Sequence, residues 1–76
     1  MSDEKRNMKN ELIYDLIFSE KNEFRIKMSE YLDSIYEYEM FIEDITDILI
    51  KSKVMITESE VNIESEDIVW VLTVKK

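Results

Sequence analysis

Glu20 and Glu23, and then Asp44 and Asp47, form two acid-x-x-acid pairs. Carboxylates at that spacing share one side of a helix. Two such pairs brought together could hold Mg²⁺, which takes oxygen ligands and keeps several waters for chemistry on phosphates. A second set, Glu39, Glu43, Asp44 and Asp47, lies at i, i+4, i+5 and i+8 and could hold a hard cation weakly. Other chemistries are closed off. The chain has no histidine and no cysteine, so Ser-His and Cys-His nucleophiles and thiolate metal sites cannot be built. It has no glycine either, which removes phosphate-cradling loops and the EF-hand, whose sixth position needs that residue.

The Glu20/Glu23 and Asp44/Asp47 pairs resemble the ExxE…ExxD magnesium site of the MazG-like nucleotide pyrophosphohydrolases. The resemblance implies paired helices that converge four carboxylates on Mg²⁺ and the phosphates of a nucleotide. Asp44 stands where that pattern has Glu, and in a chain with 18 acids among 76 residues such spacings also arise by chance. The expectation is a protein that is not an enzyme, with no catalytic residues, no metal and no cofactor.

The acids are distributed unevenly. Residues 1–27 balance their charges, so the whole net charge of −8 falls on residues 28–76, and no basic residue occurs between Met28 and Ile50. Like charges three or four residues apart on a helix repel by a few tenths of a kcal/mol per pair, so a helix built only for stability would interleave lysines there. On one helix, Glu30, Asp33, Glu37, Asp44 and Asp47 form a stripe, with Tyr36, Met40 and Glu43 in or beside it. Two readings follow. The acids are a solvated back face, or they are a surface that a basic partner reads, with Tyr36 and Met40 as anchors. Such a row can imitate the phosphates of a nucleic acid and mask a nucleic-acid-binding site on a partner protein.

The elements that must position these residues are read from periodicity. "NELIYDLIFSE" carries Leu12, Ile13, Leu16 and Ile17 on one helical face, with Met8 a turn earlier. Phe24, Met28, Tyr31, Ile35, Tyr38, Ile42, Ile45 and Leu49 alternate at four and three residues, the heptad pattern of one long amphipathic helix. At 1.5 Å per residue it would run about 39 Å, long for a chain whose radius of gyration should be near ~11 Å. A homodimer covering the ends of that helix is therefore expected. From Lys53 the period changes to two, and strands at 53–63 and 68–75 joined within "ESED" make an antiparallel hairpin. Lacking glycine, the chain should not use tight two-residue turns of the Asn-Gly type. The apolar residues on both faces of the second strand imply that it is covered on both sides.

The sequence therefore predicts one α+β domain over residues 1–76, with residues 1–8 a polar, frayed N-terminus. A short helix is followed by a long helix and a C-terminal hairpin, in a homodimer. The predicted function is a non-catalytic module that binds a basic, nucleic-acid-binding protein through Glu30, Asp33, Tyr36, Glu37, Met40, Glu43, Asp44 and Asp47. In composition alone it resembles small acidic phage-encoded inhibitors, DNA mimics among them. A structural homodimer using the heptad face, its acids only solvating, is the alternative. Direct binding to nucleic acid is not expected at this net charge. No apolar run reaches 18 residues, so no membrane span is expected, and the cytoplasm is the expected compartment.

Overall fold

A computed structural model describes residues 3–76. Two helices lie on one face of a three-stranded antiparallel sheet, an α+β arrangement. Helix α1 (Asp3–Phe18) buries Leu12 and Leu16. It begins at Asp3, so residues 3–8, expected to be frayed, belong to the helix; residues 1–2 of that stretch lie outside the described residues. Its C-terminus, which lacks a basic residue in its own last turn, is met by Lys76. The Lys76 ammonium donates to the carbonyls of Asp15 (3.0 Å) and Lys21 (2.6 Å) and also reaches that of Ser19. A cation is favourable at the negative end of the helix dipole.

The expected 39 Å helix does not form. Its first turn is strand β1 (Glu23–Lys27), followed by 3₁₀ turns at Met28–Glu30 and Ile35–Glu37, and only Tyr38–Lys51 is helical (α2). The reason lies in β1 itself: Phe24 and Ile26 are buried while Glu23, Arg25 and Lys27 are exposed, a period of two. Pairing with the last strand, Phe24 opposite Leu72 and Ile26 opposite Trp70, satisfies its backbone and buries both side chains. A straight 39 Å rod would also exceed the 30 Å longest extent of the molecule. The heptad residues remain largely inward: Phe24, Met28, Ile45 and Leu49 are buried and Tyr31, Ile35, Tyr38 and Ile42 pack against the core. The apolar face that called for a second chain is thus closed within one chain.

Strands β2 (Met55–Glu64) and β3 (Asp67–Lys75) pair as the C-terminal sequence predicts, but the sheet order is β1-β3-β2, three strands rather than a lone hairpin. On β3, Ile68, Trp70, Leu72 and Val74 face the helices, and the fully buried indole of Trp70 donates to the Ser59 hydroxyl at 2.8 Å. The opposite face is not roofed by a helix. Val69, Val71 and Thr73 there are flanked by Lys27, Arg25 and Glu23 on β1 and by Asn62, Glu60 and Glu58 on β2. Val69, between Lys27 and Asn62 in the register, is nonetheless buried without the second layer that was expected there.

Two turns use left-handed backbone without glycine. Ser65 (φ 50°) and Glu66 (φ 63°) form the two-residue link from β2 to β3, a primed turn of the kind that usually takes Asn-Gly and that the sequence appeared to exclude. At the end of α2, Lys53 (φ 65°) lets its N–H reach the Ile50 carbonyl (3.1 Å) while the Val54 N–H reaches that of Leu49 (2.9 Å). This is a Schellman cap with lysine where glycine is usual, and the accompanying apolar contact joins buried Leu49 and Val54. A left-handed residue with a Cβ costs roughly 1–2 kcal/mol. Lys53→Gly should therefore stabilise the fold by about 0.5–1 kcal/mol after the extra chain entropy of glycine is subtracted. A rise in the urea midpoint at unchanged slope is the expected result.

Candidate functional site

Helix α2 turns Phe41, Ile45 and Leu49 into the core. The residues opposite them, Met40, Glu43 and Asp47, are exposed, as are Glu37 and Asp44 beside them. Positions three, four and seven apart share a face, so Met40, Glu43, Asp44 and Asp47 form one continuous surface on a helix about 21 Å long. The preceding 3₁₀ turn adds Tyr36 and Glu37. Tyr36 is 86% exposed and Met40 67%, fractions that mark them as apolar groups with nothing packed over them.

The remaining predicted residues are placed differently. Asp33 precedes the 3₁₀ turn and pairs with Lys5 of α1 at 3.5 Å. The Lys5 ammonium also donates to the carbonyl of Leu32 at 2.7 Å, which ties α1 to this connection. Asp44 lies 4.0 Å from Lys9, whose ammonium sits 5.6 Å from the centre of the Phe41 ring. These two acids are partly neutralised within the chain. Among the described residues no cation pairs with Glu37, Glu43 or Asp47. Glu30 is separated from the group: it shares the surroundings of Tyr31 with Glu11 and Asp15. Burial first, and then those three carboxylates, push the Tyr31 phenol above its usual range. The structure thus brings together Tyr36, Glu37, Met40, Glu43, Asp44 and Asp47, sets Asp33 at their margin and leaves Glu30 apart.

The carboxylate pairs that resembled a magnesium site are carried by unlike elements. Glu20 lies in the loop after α1, Glu23 opens β1, and Asp44 and Asp47 lie on α2. Among the described residues no group of three or more acids converges on a point that could hold a cation, and the paired helices that the resemblance implies are absent.

One carboxylate does have a built environment. Asp67, first residue of β3, accepts the Ser29 hydroxyl (2.6 Å), the Ser29 N–H (3.2 Å) and the Ile68 N–H (2.8 Å), fastening the 3₁₀ turn after β1 to the sheet. The Ser29 hydroxyl bond above all holds its carboxyl below the ordinary value, the two N–H bonds adding to it. A folded-state pKa below the unfolded value of about 3.9 stabilises the fold above that pH, and the contribution is lost as pH falls through the folded pKa. Asp67→Asn should flatten the acid limb of the stability profile below about pH 4, read from urea midpoints at pH 7 and pH 3.

A second surface escaped the sequence reading. Beside α2 opens a groove of about 620 Å³ lined by Thr46, Ile50, Lys53, Val54, Met55, Ile56 and Ser59. Ile50 and Met55 are exposed there, and further along β2 so are Val61 (42%) and Ile63 (82%). The signal was present in "ESEVNIE": apolar residues at 61 and 63 alternate with polar 60, 62 and 64, as on a strand with one apolar face.

These observations define the class: a small acidic α+β protein with a charged helix face and a separate apolar edge. Compared with family models, curated proteins and solved structures, the chain matches none. Among the described residues no helix is long and apolar enough to cross a membrane.

Proposed function

We propose that this protein is a non-catalytic binding module that docks the outer face of α2 on a basic surface of a partner protein, masking a nucleic-acid-binding site there. It works in the cytoplasm of its host cell, as a homodimer. The observation that carries the reading is the join of two features on α2 and the 3₁₀ turn that leads into it: uncompensated carboxylates at Glu37, Glu43 and Asp47, and the exposed anchors Tyr36 and Met40. Acids speed association with a basic surface and make it salt-dependent, while exposed aromatic and Met side chains are enriched among the residues that carry binding at interfaces. Asp44 and Asp33, half-engaged by Lys9 and Lys5, extend the acidic surface towards α1.

The test is retention of nucleic-acid-binding proteins from host lysate on the immobilised chain at low salt, with release at about 0.5 M NaCl, above which the screening length falls to a few ångströms. Retention that survives high salt, or that an unrelated acidic protein of equal charge reproduces, would remove the α2 face as the recognition surface.

A further inference from the structure

Strand β2 is an edge strand, and the geometry of its hairpin fixes which of its backbone groups are free. In a two-residue hairpin the residues flanking the turn, here Glu64 and Asp67, exchange both hydrogen bonds, and the pairs then alternate. Asn62, Glu60 and Glu58 therefore bond to Val69, Val71 and Thr73. Ser59, Val61 and Ile63 turn their N–H and C=O groups away from β3. None of the three carries a backbone bond to any other described segment. Their side chains point to the helix side of the sheet, yet α2 does not reach over Val61 and Ile63. The strand thus leaves Val61 and Ile63 unsatisfied twice, in backbone and in apolar surface, and Ser59 in backbone. The other edge, β1, differs: its apolar side chains are buried and its exposed row carries Arg25 and Lys27, a common protection of edges.

We infer that a second copy of the chain pairs antiparallel with β2 about a two-fold axis at Val61, making one six-stranded sheet. This gives a surface to the homodimer proposed above and rests on that reading. The register follows from charge. With the axis at Val61, Val61 meets itself, Ser59 meets Ile63 of the second copy, and Glu60 meets Asn62. Glu58 meets Glu64 twice, once at each end of the contact, and each of those Glu64 carboxylates is already held 2.6 Å from its own chain's Arg25 guanidinium. All outward N–H and C=O groups of the three residues are then paired. An axis at Glu60 sets Glu60 against itself, and one at Ser59 sets Glu58 against Glu60 twice, in both cases without the counter-charge that Arg25 gives Glu64; cross-strand like charges destabilise. The apolar rows of the two copies become contiguous on the helix side, joining Val61 and Ile63 to the groove beside Ile50 and Met55.

The experiment combines mass by light scattering over a concentration series with amide hydrogen exchange resolved by residue. The expected result is twice the 9.2 kDa chain mass, with the amides of Ser59, Val61 and Ile63 protected at high concentration and unprotected on dilution. Val61→Pro removes only an outward donor, and Ile63→Lys changes a largely exposed side chain. Each should keep the monomer's circular dichroism and weaken dimerisation about 100-fold, as loss of a few backbone hydrogen bonds or an apolar contact implies. A wild-type chain that stays at 9.2 kDa overturns the homodimer and this pairing together. A dimer whose three amides exchange freely, or which the variants leave intact, overturns the pairing alone. Growth beyond the dimer would show β1-to-β2 addition instead. A monomer whose amides are protected only by an added Lys/Val-alternating peptide would assign the edge to a foreign basic strand, and the pairing fails.

Discussion

Trp70→Ala should cost about 3–5 kcal/mol, the range for removing a large aromatic side chain from a packed core. A 76-residue chain has a total stability of roughly 4–11 kcal/mol, so the variant should be marginal or unfolded at 25 °C. The expectation comes from position. Trp70 lies on the central strand, is fully buried, and is flanked by Ile26 on β1 and Val61 on β2. Its loss would leave a cavity at the centre of the single core that both helices share. The indole N–H bond to Ser59 adds little, because Ser59 is exposed and water can replace its partner. Trp70→Phe should accordingly recover much of the loss. Urea unfolding followed by circular dichroism separates the three proteins, and an Ala variant within 1 kcal/mol of the parent would contradict the packing described.

The second large effect concerns the partner. Glu43→Lys with Asp47→Lys should lower affinity for a basic partner surface by about 100-fold at low salt and leave the fold unchanged. Two charges about 4 Å apart in water interact by about 1 kcal/mol. Each reversal turns an attraction into a repulsion, and screening takes back part of the sum. Both side chains are exposed, and exposed substitutions usually move stability by no more than about 0.5 kcal/mol. The reversal also relieves like-charge contacts along α2, so stability should hold or rise. Calorimetric titration against the purified partner, beside a thermal melt, reads both quantities. Unchanged affinity would mean that the carboxylates only solvate the helix.

The residues of the core were easier to read than the elements that carry them. Phe24, Met28, Ile45 and Leu49 were marked as inward by a heptad count, and inward they are. The count hid a strand because positions i and i+4 share a side in both helix and strand, so Phe24 and Met28 fit either. Ile26, which the heptad skips and the strand requires, was the residue that decided between them. Ser29, Asp33 and Ser34 were further stop signals, all capable of bonding locally to backbone, and Ser29 does hold Asp67. The turns at Lys53 and Ser65-Glu66 were illegible for a different reason. Tertiary pairing of β2 with β3 and packing of Leu49 against Val54 impose left-handed backbone on residues with no preference for it. On the candidate surface, Tyr36 to Asp47 held together because that stretch is helical or nearly so. Glu30 fell away because the helix assumed between it and Glu37 does not exist.

The central claim is that the α2 face competes with nucleic acid for a basic protein surface. Its most direct measurement is fluorescence anisotropy of a labelled DNA duplex bound by the protein retained at low salt, titrated with this chain and with the Glu43→Lys, Asp47→Lys variant. The account predicts that the parent chain releases the duplex stoichiometrically at low salt, less well as salt rises, and that the variant needs about 100-fold more protein to do so. Equal release by both proteins, or a ternary complex in which the duplex stays bound, would contradict it.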